Sequence, residues 1–460
     1  MVLNSITMKE TADAGKLHQI GCQATRDNYE STTTRFTNNY LHQLYDYISN
    51  TSLRLSTPPP ASILLEPYGY FSDRTNDTTA RGLTRDGKAM ATPPHASFFT
   101  LHSPDMDPSA FADLPKAVCS DDDLLLLHIP ICHRGAHVYA NNNHYFVYHA
   151  AGDGKQRLTP VPMPQGLTFT FPDREVVLLR RHDHDTFFLA VLNRSSISRQ
   201  YSHNQFYLHL YNSETGKWNT KLVNVDDSTI TTVGGFKYSC ANMVIVMGRE
   251  LGSVGWVDLW QGILVCDILL DNPSLRYIPL PSPLVPRLLS GYPMFLRNII
   301  VLEEYIKYFD MYKHTGFASA QGWVAATKKM KISSIGSGNS SWEDDCAIKF
   351  SEVPVDSLTL AQMLLPNLQQ GTDTRLTLKR LHAGYPALSL HDSDVVYIMH
   401  RPDPEEDKAL VIAVDMRNKT LKGVADFGFG RPVGYTFTYL QTGISKHLSN
   451  CSSTRRESSR

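Results

Sequence analysis

The chain has 460 residues, 42% hydrophobic and 19% charged, a balance that excludes wholesale disorder and leaves enough apolar surface for a sizeable core. Its 44 Lys and Arg against 45 Asp and Glu give a net charge of -1, so no long-range field draws it to nucleic acid or an anionic membrane, and neither is expected as a partner. The 7 cysteines are scattered, odd in number and free of any C-x-x-C pair, which suits reduced thiols in the cytosol or nucleus.

Residues 1–58 are rich in Thr, Asn and Ser, and are read as a flexible extension because they carry too little apolar surface to offset the entropy of ordering. They begin no signal-peptide core, so the Asn-x-Ser/Thr triplets at Asn50, Asn76 and Asn418 are read as incidental. Residues 59–448 are read as one β domain, and the polar stretch 449–460 as a disordered tail. Within the domain, 63–71 and 97–102 read as strands, and Leu124-Leu125-Leu126-Leu127 as a buried strand announced by the turn Ser120-Asp121-Asp122-Asp123. A strand-turn-strand unit then recurs over 145–164, 175–223, 256–278, 299–353 and 395–427. Counting such units predicts an all-β protein, a β-propeller of about six blades (five to seven) with few short helices. Residues 358–368 read as helical and 332–340 as a Gly/Ser loop.

The run 252–281, GSVGWVDLWQGILVCDILLDNPSLRYIPLP, anchors this reading. A two-residue turn at Gln261-Gly262, with Gly262 at positive φ, pairs Trp260 with Ile263, Asp258 with Val265 and Trp256 with Asp267. That register places Leu259, Leu264, Val257 and Cys266 on one face, and the tryptophans with both carboxylates on the other. A hairpin apolar on both faces must be covered twice, as in stacked blades. The turn Asp271-Asn272-Pro273-Ser274 leads to a third strand, 275–278. Trp256, Asp258, Trp260, Gly262, Cys266, Asp267 and Pro273 are therefore expected to form the structural core of this element.

These motifs resemble the signature of a large plant family, expanded in grasses and catalogued as domain of unknown function 1618 (DUF1618). Further stretches match in the family's order: ILLEPYGYFSDRTNDTTA from Ile63, GWVAAT from Gly322, WEDDC from Trp342, LHAGYPALSLHDSDVVYIMHR from Leu381 and VIAVDMRNKTLKGVADFG from Val411. The most family-specific part is 252–427. The resemblance implies no activity, substrate or cofactor, because none is established for the family. The blade pattern also resembles F-box-associated and kelch-like propellers, but no F-box helices precede it here.

Candidate chemistry is sparse. Asp258 and Asp267, as carboxylates paired across a sheet, could act as acid and base, yet each more simply accepts backbone N–H bonds from a neighbouring turn. His128, His133, His137, His144 and His149 with Cys132 are dense but match no zinc spacing, and His182-Asp183-His184-Asp185 reads as a solvated turn. The acidic stretches at 342–346 and 392–394 read as turn caps. No nucleophile motif, Walker loop or dinucleotide fingerprint occurs, so no catalytic, metal or cofactor-binding residue is assigned and no cofactor is expected. The resulting expectation is a monomeric, non-enzymatic scaffold for a protein or peptide partner. The alternative is a hydrolase-like enzyme with its site at the channel mouth. For closure, 63–71 is expected to dock beside 410–416 and 421–427, with 1–56 contributing nothing.

Overall fold

The computed structural model describes residues 2–7, 60–71, 93–102, 111–131, 143–150, 157–163, 172–181, 186–194, 204–226, 236–284, 291–313, 322–336, 341–357, 364, 377–378, 381–401, 409–427 and 439–448. Strands β1 (Val2–Thr7), β2 (Ile63–Leu65), β3 (Tyr70–Phe71) and β4 (Ala96–His102) come first. Five four-stranded antiparallel sheets of consecutive strands follow. The first comprises β5 (Lys116–Asp121), β6 (Leu124–Pro130), β7 (Asn143–His149) and β8 (Arg157–Val161). The second has β9 (Val176–Arg181), β10 (Thr186–Arg194), β11 (Gln205–Asn212) and β12 (Lys217–Asn224). The third has β13 (Met243–Gly248), β14 (Ser253–Asp258), β15 (Gly262–Asp267) and β16 (Leu275–Pro279). In the fourth are β17 (Arg297–Leu302), β18 (Tyr305–Lys313), β19 (Trp323–Lys331) and β20 (Glu343–Lys349). The fifth holds β21 (Ala383–Leu388), β22 (Val395–His400), β23 (Ala409–Asp415) and β24 (Thr420–Phe427). Strand β25 (Leu440–Thr442) joins β1–β4 in a sixth, mixed sheet, and a short helix α1 (Ser445–Leu448) follows it. The protein is all-β, of the six-bladed β-propeller class.

The chain divides into two compact units, one of 1–163 with 428–460, the other of 164–427. In the first unit, β2 lies between β4, to which it runs parallel, and β25, to which it pairs antiparallel as Ile63↔Thr442 and Leu65↔Leu440. All three residues of β2 are buried, Ile63 and Leu65 in a cluster with Phe99, Leu101 and Ile444. N-terminal and C-terminal segments thus share a sheet, but the partner of residue 63 is Leu440–Thr442 rather than 410–427. Within the fifth sheet β23 is paired on both sides, while β24 is the outer strand and pairs with β23 alone; β2 pairs with neither. Residues 2–7, read as part of an extension, form a strand parallel to β4, and 8–59 and 449–460 lie outside the described residues.

In the second unit, the first strands of successive sheets, β9, β13, β17 and β21, neighbour one another. The two middle sheets, β13–β16 and β17–β20, are apolar on both faces. Trp256, Val254, Leu264 and Cys266 pack against Val177, Leu179, Ala190 and Phe206 of the preceding sheet. Val257, Ile263 and Val265 pack against Ile299, Ile306, Tyr308 and Met330 of the following one. A parallel cluster built on Phe309, Trp323, Val396 and Ile412 joins the β17–β20 sheet to the β21–β24 sheet. Of the segment read as helical, 358–368, only Leu364 is described, and the loop at 332–340 opens with a 3-10 turn at Ile332–Ser334.

Candidate functional site

The anchor hairpin has a different register from the one its sequence suggests. Trp256 pairs with Leu264, Val257 with Ile263 and Asp258 with Gly262, leaving a three-residue loop, 259–261. A side-chain bond shapes that loop. Asp258 Oδ1 accepts the Trp260 N–H at 2.9 Å, its Oδ2 accepts the Ser239 N–H at 2.8 Å, and the Gln261 N–H closes a turn onto Asp258 O at 3.0 Å. Gly262 is needed for close approach rather than for positive φ: a Cβ there would lie 2.4 Å from the Tyr277 ring and 2.6 Å from Ile278 O.

Shifting the register by three residues puts the carboxylates on opposite faces, so Asp258 and Asp267 form no pair. Asp267 Oδ1 accepts the Ser253 hydroxyl at 2.5 Å, and its Oδ2 meets Arg276 Nη2 at 2.9 Å. Trp256 is fully buried and donates its indole N–H to Glu175 O at 2.8 Å, whereas Trp260 sits half-buried in the loop. Cys266 is buried, and burial pushes its thiol up to about 12, which leaves it inert. Pro273 lies half-buried between β15 and β16. The three-strand reading lacked the sheet's first strand, β13.

The loop carrying Trp260 belongs to a larger surface at one end of this unit. The Leu280 N–H donates to Gln261 O at 3.0 Å, and the Trp260 indole N–H reaches Gly291 O at 3.4 Å, which ties the connector after β16 to the loop. Arg297, only 3% exposed, donates from Nη1 to Leu259 O at 2.8 Å and pairs through Nε with Asp310 Oδ1 at 3.3 Å. Its guanidinium covers one side of the Trp260 ring at 4.6 Å, a cation–π contact that fixes the indole. Beyond it, Tyr292 is 50% and Phe295 42% exposed, large apolar side chains left outside any core. Phe295 stands edge-on to Tyr385, centroids 5.4 Å apart at 84°. The approach is possible because Gly384 has no Cβ, which would fall 2.4 Å from the Phe295 ring. Tyr385 occupies a bulge in β21 with φ +47°, a left-handed conformation that costs a residue of this kind ~1–3 kcal/mol. Burial raises the Tyr385 hydroxyl pKa, Tyr292 adds to the rise, and the Arg401 guanidinium opposes it. Trp260, expected in the core of the hairpin, is half-buried in its loop, and Tyr292, Phe295 and Tyr385 were not singled out, since neither exposure nor backbone strain has a signature in a lone aromatic residue.

Burial raises the Glu175 carboxyl pKa, with Arg174 at 3.9 Å only partly offsetting it. Its charge, with that of Asp258, adds to the burial that holds Tyr238 well above the usual phenol range. At another place in the unit, buried Lys307 binds Asp345 Oδ2 at 2.7 Å and Ser393 O, and Arg417 bridges Asp345 and Asp394. Burial works to raise the Asp345 carboxyl, but the Lys307 and Thr327 bonds outweigh it and hold it below its ordinary range. This network joins two sheets, and each of its charged side chains has an oppositely charged partner. Among the histidines, His128 stacks on Tyr145 at 4.6 Å, and Cys132, His133, His137 and 182–185 lie outside the described residues. Among the described residues, no group of three or more His, Cys, Asp or Glu could hold a metal ion. The stretch read as a turn at 342–346 is mostly strand, β20, whereas 392–394 is a turn in which Asp392 Oδ1 caps the Asp394 N–H at 3.2 Å.

Residues 256–397, from β14 into β22, match the family model described as protein of unknown function (DUF1618). No curated protein matches the chain. Among solved structures, a glycosyl hydrolase from Bacteroides ovatus is 13% identical, with 72% of this chain and 86% of that chain covered and a TM-score of 0.25. The WD40 domain of SCAP from fission yeast is 11% identical, with 67% and 63% covered and a TM-score of 0.28. A putative glycosidase from Bacteroides thetaiotaomicron is 10% identical, with 70% and 87% covered and a TM-score of 0.26. Likenesses at this level carry no argument about activity.

Proposed function

We propose that this chain is a non-enzymatic scaffold that recognises a peptide or protein segment on the surface formed by Trp260, Tyr292, Phe295 and Tyr385. The observation that carries the reading is the pair of exposed aromatics, Tyr292 and Phe295, with Trp260 covered on one side by Arg297 and Tyr385 met edge-on by Phe295. Aromatic residues with an arginine at hand are the composition of protein-recognition hot spots, and rigid rings lose little entropy on binding. In this reading the chain works as a monomer in the cytosol or nucleus, as the reduced-thiol pattern suggests, with neither nucleic acid nor membrane as partner. No helix among the described residues is long and apolar enough to cross a membrane. The plant origin implied by the sequence motifs directs the search for partners to plant tissue.

The test is binding of the full chain to an array of mixed-sequence peptides, repeated with Tyr292→Ala and Phe295→Ala combined. Binding in the wild type that falls at least about tenfold in the variant, roughly 1.4 kcal/mol, supports the reading. Equal binding by both proteins, or by neither, removes it.

A second reading rests on Glu175, a half-buried carboxylic acid near a phenol, which is the environment of a general acid. It makes the chain a hydrolase-like enzyme with its site at the channel mouth. Turnover in an esterase, glycosidase or phosphatase panel that Glu175→Gln abolishes would establish it.

A further inference from the structure

Three sheets of the second unit fasten the segment that leads into them in the same way. Toward the end of its second strand each carries a side chain that accepts a backbone N–H from that segment. Asp258 in β14 takes the Ser239 N–H at 2.8 Å, Asp310 in β18 takes the Leu284 N–H at 3.0 Å, and His400 in β22 takes the His382 N–H on Nδ1 at 3.1 Å. The third fastening differs in its chemistry. A carboxyl group keeps an acceptor oxygen whether or not it is protonated, whereas both nitrogens of an imidazolium are donors. Of the three bonds, the one to His400 is therefore the one that a proton abolishes.

The surroundings of His400 sharpen that dependence. The residue is 0% exposed, and Nε2, which carries the hydrogen while Nδ1 accepts, is buried without a partner. The residues paired with it on either side, Ala383 and Leu410, are apolar. The ionisable group that bears on it is the His382 ring, with centroids 6.5 Å apart, whose charge would repel an imidazolium. The oxygen within reach of a proton on Nδ1, His382 O at 3.4 Å, already accepts the Arg401 N–H at 3.2 Å. A proton on His400 thus sets the His382 N–H against a donor and places a charge in a buried site. Both faults are relieved when the His382 segment moves away.

The residues that follow His382 hold the aromatic surface. β21 meets β22 at Ala383↔His400 and Gly384↔Met399, and the pairing then breaks at the bulge that contains Tyr385. Gly384 makes room for the Phe295 ring, and Tyr385 receives its edge. On the other side of His382, the Trp323 indole N–H holds Leu381 O at 2.7 Å, which confines a movement to the stretch from His382 onward. Resting on the peptide-recognition reading, we propose that His400 is a proton-operated clasp: a proton on its ring frees the start of β21, separates Tyr385 from Phe295 and switches the recognition surface off in acid.

Hydrogen exchange of the full chain, read by mass spectrometry at about pH 7.5 and pH 5 and corrected for intrinsic rates, tests the clasp without a ligand. One proton gained on opening favours the open form roughly tenfold per pH unit below the free histidine value of ~6.5. Exchange at 382–388 should therefore rise at least about tenfold in acid, while fragments holding Ser239 and Leu284, fastened by carboxyl groups, change less than about twofold. Binding of the mixed-sequence peptide array should weaken about tenfold over the same interval. In His400→Asn, whose side-chain oxygen accepts without titrating, both acid effects should vanish. Exchange at 382–388 that acid leaves unmoved, that rises as much at Ser239 and Leu284, or that still rises in His400→Asn, overturns the clasp. The first two comparisons lie within the wild type and stand even where the variant does not fold. Exchange that rises as expected while array peptides bind equally at both pH values overturns control of the surface by His400. Failure of every peptide at both pH values, with exchange as expected, overturns peptide recognition and leaves the clasp standing.

Discussion

Two tryptophans four residues apart show how little a residue's type says about its duty. Trp256 fills the space between two sheets and bonds Glu175 O, so Trp256→Ala should cost ~3–5 kcal/mol in urea unfolding. Trp260 lies half-buried in a loop, and Trp260→Ala should cost clearly less while it strips the aromatic surface. Equal losses in the two variants would mean that the loop indole is as buried as the strand one. His209 and His400 carry a pH dependence. Burial lowers each to about 4; at His400 a bond from the ring Nδ1 to His382 O partly opposes this and the nearby His382 ring adds to it. Unfolded histidine titrates near ~6.5, so the unfolded chain binds more protons between roughly pH 4 and 6.5. Stability is full above that window and falls on acidification through it, by about 1.4 kcal/mol per pH unit for each histidine. Urea midpoints measured from pH 7.5 to 5 should show this slope, and His400→Asn should reduce it by about one proton's worth.

Within the hairpin, sequence conveyed the strands but not their alignment. Alternation fixes register only when one face is polar, and β14 and β15 are apolar on both, so a slip of three residues leaves the hydrophobic pattern intact. What decides the alignment is the Asp258 carboxylate gathering the Trp260 and Ser239 N–H groups, together with the closeness of Gly262 to Tyr277. Gly262→Ala should therefore destabilise by ~1–3 kcal/mol, since a methyl there meets ring and backbone at once. A Gly262→Ala protein with the wild-type urea midpoint would show that this contact does not set the register. The recurring strand-turn-strand pattern did announce the sheets, because each is built from neighbouring strands with short turns. The aromatic surface was illegible for the converse reason: it is assembled from a loop, a connector and a bulge in three places along the chain.

At the scale of the whole molecule, about six sheets, between five and seven, were countable from sequence, whereas the composition of the sixth was not. Leu440-Gln441-Thr442 is too short and too polar to read as a strand, yet it is the antiparallel partner of β2. Deleting residues 1–75 removes β2 from between β4 and β25, so the truncated protein should be insoluble or rapidly digested. Deleting 439–460 should do the same. Deleting 1–56 takes only an edge strand among the described residues and should leave melting and protease resistance unchanged. Soluble, cooperatively melting protein from either of the first two deletions would show that the sheet does not depend on β2 or on β25.

The pairing of β2 with β25 also bears on how the protein is made. Residue 442 leaves the ribosome about 20–80 s after residue 63 at ~5–20 residues per second. The five sheets of consecutive strands can form as they emerge, each from local partners. Ile63, Leu64 and Leu65 must wait through that interval without their β25 partner, so the nascent chain carries an apolar strand with one edge uncovered until residue 442 has emerged. A chaperone that holds apolar strands should be found on the early nascent chain and leave once residue 442 is free to pair.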